Sequence, residues 1–148
     1  MARRHDAVIG LALALAMSCA EAWAAVHTCS KEEMASAEAA VAAVRDWEAM
    51  YDIFHRFSPC DEGAVAEKFS GSVAYLLARR WDELHDLEHF AEANRAFRAF
   101  VLKHIDVAAS ESDLRRILGH TKDCPSYARP ICREIENRAR AALGELKE

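Results

Sequence analysis

Strand signals are what this chain most lacks. Beyond its first two dozen residues glycine stands only at Gly63, Gly71, Gly119 and Gly144, proline only at Pro59, Pro125 and Pro130, and threonine only at Thr28 and Thr121. No stretch alternates apolar and polar residues long enough to argue a strand. Ala, Glu, Arg and Leu dominate instead, and all four are good helix formers. The expected fold is therefore all-α, a compact bundle of five or six helices. Other absences remove whole chemistries. There is no C-x-x-C pair for thioredoxin-like redox work, no C-x-x-C-H for haem and no glycine-rich loop to cradle phosphate.

Long apolar runs are missing too. The only candidate, Ala7 to Cys19, is about 13 residues, whereas a helix needs about 20 to cross a bilayer. Arg3 and Arg4 precede that run, and Ala22-Trp23-Ala24 follows it with the small-x-small pattern of a signal peptidase site. Residues 1–24 read as a signal peptide and 25–148 as a single domain with no transmembrane span. A minority reading takes Ala16-Met17-Ser18-Cys19 as a lipoprotein box that anchors the chain through Cys19. Either cut leaves Cys29, Cys60, Cys124 and Cys132. An even set of cysteines in an exported chain implies disulfides, one or two here, and a periplasmic or secreted location.

Positive charge is also scarce. The 19 Lys and Arg are outnumbered by 24 Asp and Glu, for a net charge of −5. Binding phosphates calls for a basic face, and the sequence offers only short pairs such as Arg79-Arg80 and Arg115-Arg116. Nucleic acid and anionic membrane surfaces are therefore not expected as partners.

What is present is helical periodicity. Ser30 to Glu33 forms a capping box, with the serine able to accept from the third residue's amide and Glu33 able to reach back. Behind it Met34, Ala37, Val41, Val44, Trp47, Tyr51 and Phe54 recur at steps of three and four, which predicts one helix from Ser30 to about Phe57. Asp61 is a candidate cap for a second helix carrying Val65, Phe69, Val73, Leu76 and Leu77. Gly71 inside it costs about 1 kcal/mol against Ala, which suggests close packing there or a weaker helix. Shorter helices are expected over Trp81–Phe90, from Ala93 to Ile105, and from Ser110 to Gly119. Pro130 suits the first turn of a last one.

The cysteines conflict with the first helix. Cys124 and Cys132 are eight apart across a Pro-flanked turn, the cheapest closure, which leaves Cys29 for Cys60. A helix from Ser30 to Phe57 is about 40 Å long, yet a disulfide holds its Cα atoms roughly 4.4–6.8 Å apart. The crossed pairings fail as well, because eight residues reach at most about 27 Å. Three resolutions exist: a helix broken with Asp46 as internal cap, first turns that are absent while residues 25–35 fold back, or an unpaired Cys29. The second is the one favoured from sequence.

Few residues suggest chemistry. His85-Asp86-Leu87-Glu88-His89 matches H-x-x-E-H, in which two histidines one turn apart can hold zinc beside a glutamate base. Such a short pattern arises easily in a chain with seven histidines, and a third ligand is required, with His104 and Glu111 the nearby candidates. A solvated helix face is the simpler account. Cys60-Asp61-Glu62-Gly63 reads as a disulfide-anchored helix start, Trp47, Tyr51 and Phe54 as packing, and His104 as a boundary histidine. We expect no catalytic residue, no cofactor and no resident metal, with His85 and His89 as the metal-ligand candidates.

The run from Phe57 to Glu67, Phe100 to Ile105, and the Cys124-Pro125 … Cys132 tail together resemble a group of small exported all-helical bacterial proteins of unassigned function. That resemblance spans most of the chain after residue 24 and implies an exported helical domain with paired cysteines. In size, export and helicity the chain is also similar to type VI secretion immunity proteins and other periplasmic inhibitors, a likeness of format that brings no residue with it. The expectation is a non-enzymatic periplasmic domain that binds another envelope or periplasmic protein, in the manner of an inhibitor or immunity protein. The alternatives are a metal-binding protein or small metalloenzyme built on His85, Glu88 and His89, and a structural envelope protein.

Overall fold

A computed structural model describes residues 28–147, so the expected signal peptide over residues 1–24 and the candidate lipidation at Cys19 lie outside the described residues. These form seven α-helices and no strand: α1 (Lys31–Ala42), α2 (Trp47–Phe57), α3 (Gly63–Arg79), α4 (Leu84–Ala93), α5 (Arg95–Lys103), α6 (Glu111–His120) and α7 (Arg129–Glu145). The all-α reading holds, with one helix more than expected.

The extra helix arises because the expected 30–57 rod is two helices. The capping box at Ser30 and Glu33 is intact, so the first turns are present and the resolution favoured from sequence is corrected. The break falls after Ala43, and Asp46 caps α2 by accepting from the Ala49 amide at 2.8 Å. The freed carbonyls at the end of α1 find other donors: Ala42 takes the Arg45 guanidinium at 2.9 Å, and Val41 takes the Ser72 hydroxyl at 3.1 Å. Arg80 closes the corner by donating to the Arg45 carbonyl at 2.9 Å. The Val41, Ala42 and Arg45 carbonyls at the break thus each have a side-chain partner, which lowers its cost. The chain reverses there, and Cys29 meets Cys60 in a disulfide with Cα atoms 5.0 Å apart. The second disulfide joins Cys124 to Cys132.

The break also shifts the phase of the buried face. Ala37, Val41 and Val44 are buried as the periodicity predicts, but α2 buries Trp47, Met50, Phe54 and Phe57, leaving Tyr51 half-exposed. α3 packs on both α1 and α6, and α7 covers α6 and reaches α5. Phe69 on α3 meets the Phe100 ring edge-on, at 4.9 Å between centroids, and Phe100 lies 5.0 Å from Phe54. Aromatic side chains therefore tie α2, α3 and α5 into one core.

Two glycines behave differently from each other. Gly63 takes φ +51° at the start of α3, a left-handed conformation that favours glycine and lets the Cys60–Glu62 corner turn into the helix. Gly71 has open space where a Cβ would stand, so no helix packs closely upon it. Of the two readings offered by the sequence, only the weaker helix remains.

Candidate functional site

The H-x-x-E-H residues sit on α4 and point outward. His85 and His89 are both exposed one turn apart, and His85 Nε2 lies 3.0 Å from Asp86 Oδ1 on the adjacent residue. Neither proposed third ligand is available to them. Glu111 is paired with Arg115, and both ring nitrogens of His104 are engaged elsewhere. Among the described residues no three His, Cys, Asp or Glu side chains gather as a metal site.

His104 is not a boundary residue: it is only 1 % exposed. It follows α5 directly and joins a buried polar row that no sequence spacing announces. Its Nε2 lies 3.1 Å from Asp61 Oδ2, and its Nδ1 lies 3.0 Å from the Ser70 hydroxyl on α3. Ser70 in turn donates to Asp106 Oδ2 at 2.9 Å, and Lys103 Nζ reaches Asp61 Oδ2 at 2.7 Å. A serine hydroxyl has one proton, and the Asp106 oxygen is its nearest acceptor. The His104 ring thus bridges Ser70 on α3 to Asp61, with the donor and acceptor roles of its two nitrogens set by the tautomer.

Asp61 is therefore not the cap of α3. Glu62 occupies that position without a side-chain hydrogen bond, while Asp61 turns inward to the histidine. Burial alone would raise its carboxyl, but hydrogen bonds and charge from His104 and Lys103 hold it below its usual value.

Serine, histidine and aspartate in a row resemble a nucleophilic triad, but the access is wrong. Ser70 is 1 % exposed inside a continuous helix, and its hydroxyl is also within 3.2 Å of the Ala66 carbonyl. Nucleophilic attack on a carbonyl needs an exposed oxygen beside free amide donors. What this arrangement does is fasten the start of α3, the end of α5 and the loop holding Asp106 to one another.

The open chemistry lies at the far end of the chain. Between α6 and α7 the backbone makes two short 3-10 turns, Thr121–Asp123 and Ser126–Ala128, and the Cys124–Cys132 disulfide holds the loop between them. The loop presents Tyr127, 53 % exposed, the most exposed of the large apolar side chains among the described residues. A hollow of about 360 Å³ is lined by the same disulfide together with Lys122, Arg129, Arg133 and Glu136. Glu136 is taken by Arg140 at 2.6 Å. Lys122, Arg129 and Arg133 have no carboxylate at ion-pair distance among the described residues.

No motif in the sequence marks this group. One signal was available. Residues 28–110 carry fifteen acidic against nine basic side chains, whereas 111–147 carry six against eight. With the geometry in hand, comparison adds no relative: no family model, no curated protein and no solved structure matches the chain.

Proposed function

We propose that the chain is a non-enzymatic periplasmic protein-binding domain of the inhibitor or immunity type, and that its binding face is the Cys124–Cys132 loop with the first turns of α7. The observation that carries this reading is Tyr127, a half-exposed aromatic held on a loop that a disulfide closes, with the exposed Arg129 two residues away. Tyrosine and arginine are the side chains most often found as interface anchors. A loop fixed before binding loses little conformational freedom on docking, which favours affinity. The partner is another envelope or periplasmic protein.

Affinity capture from envelope extract tests this with three versions of the protein. The wild type and a His85→Ala/His89→Ala pair should retain the same protein in stoichiometric amount, and a Tyr127→Ala/Arg129→Ala pair should lose it. Equal retention by the Tyr127/Arg129 pair sinks the assignment of the face. Stoichiometric zinc in the wild type that disappears from the histidine pair would replace the reading with a metal-dependent one.

A further inference from the structure

We infer that the α6–α7 hollow is a carboxylate-binding site, built to take an acidic segment of a partner polypeptide. This rests on the protein-binding reading and adds the chemistry of the partner. Arg129 and Arg133 stand one turn apart on α7, and Lys122 lines the same hollow with the disulfide. No acidic residue occupies the first turn of α7, and Glu136, the one carboxylate lining the hollow, is bonded to Arg140 rather than to these arginines. Three unpaired cations around one hollow repel one another, and an incoming anion relieves that repulsion.

The site extends beyond a single hollow. Lys122 also lines a second one, of about 300 Å³, with Arg115, Leu118, Gly119 and Arg140. The two hollows share Lys122 as a lining residue, and Arg129 and Arg133 belong to the first alone. In the second, Arg115 and Arg140 are already paired with Glu111 and Glu136 on their own helices. Arginine holds carboxylates with two parallel hydrogen bonds, which suits Asp and Glu side chains or a chain terminus.

A polypeptide fits better than a larger polyanion. Net charge is −5, and most of the acid excess lies in residues 28–110. Exposed charges are screened over about 8 Å at physiological salt, so a short acidic segment feels the local cations. Duplex DNA or an anionic bilayer would extend past the hollows onto the acidic remainder. Leu118 adds apolar contact in the second hollow that a peptide side chain can use.

The test is fluorescence anisotropy of a labelled oligoglutamate peptide with the exported chain, at about 50 and about 200 mM salt. The wild type should bind, more weakly at the higher salt. An Arg129→Glu/Arg133→Glu pair should lose about tenfold or more in affinity. Lys122→Glu, a single change in the same lining, should show a smaller loss of the same sign, and Arg95→Glu on α5 should bind like the wild type. All four positions are exposed, so folding is spared. No binding by the wild type, or equal binding by the arginine pair, overturns the inference. So does tighter binding of duplex DNA or phosphatidylglycerol vesicles than of the peptide. Envelope-partner capture by a protein that ignores the peptide would end this inference and leave the protein-binding reading standing. Peptide binding with no partner captured would uphold the hollow's chemistry and remove that reading instead.

Discussion

Cys29 and Cys60 stand 31 positions apart in sequence and 5.0 Å apart at Cα. Their bond ties the entry of α1 to the exit of α2, so the two helices form a closed antiparallel pair under which α3 begins. A cross-link of that span restricts the unfolded chain more than a short one. The loop-entropy relation gives about 3.7 kcal/mol for the separation of 31 and about 2.5 kcal/mol for the separation of 8 between Cys124 and Cys132. Replacing each pair by alanine should lower the denaturant midpoint in both cases, and further for Cys29/Cys60. The opposite order would contradict the account of the first disulfide as the main staple.

Asp46 offers a test of sign. As the cap of α2 it contributes about 1 kcal/mol, so Asp46→Ala should destabilise by that amount. Inside an unbroken helix the same change would stabilise, because alanine is the better helix former. Chemical denaturation of the variant distinguishes the two.

The break at Asp46 also shows what was legible in the sequence. Local signals were clear: the Ser30 capping box, the helical class and the stripe through Val41. The break was visible only as a conflict between helix length and disulfide reach, because Ala42-Ala43-Val44 carries no breaker and Asp46 alone is a weak stop. Its cost is met by Ser72 and Arg80, distant in sequence. The buried row was illegible for the same reason, since Asp61, Ser70, His104 and Asp106 have no periodic relation. Nor could the chain's overall acidity reveal that Lys122, Arg129 and Arg133 share one hollow.

Gly71 should be improvable. Its Cβ position is open and its φ is not in the left-handed region. Gly71→Ala should therefore stabilise α3 by up to about 1 kcal/mol, read as a rise in Tm. A destabilised variant would mean that something packs on the site after all.

Asp61 gives a pH dependence. Its carboxyl is held below the ordinary value of 3.8, so the unfolded chain takes up the proton first as pH falls. The stability contributed by Asp61 is complete above about pH 4 and is lost as pH drops through the lowered value. Asp61→Asn should cost about 1.5–3 kcal/mol near neutrality, the range for a hydrogen bond to a charged group, and should flatten the acid limb of the stability curve. A variant with the wild-type acid limb would remove Asp61 from the row's energetics.

The central claim concerns the face that meets a partner, and photo-cross-linking in the intact envelope reads it most directly. A photoreactive phenylalanine analogue would replace Tyr127 on the stapled loop and, separately, Tyr75 on α3, the two exposed tyrosines. The account predicts one discrete protein adduct from position 127 and none from position 75. An adduct from position 75 alone, or from neither, would contradict it.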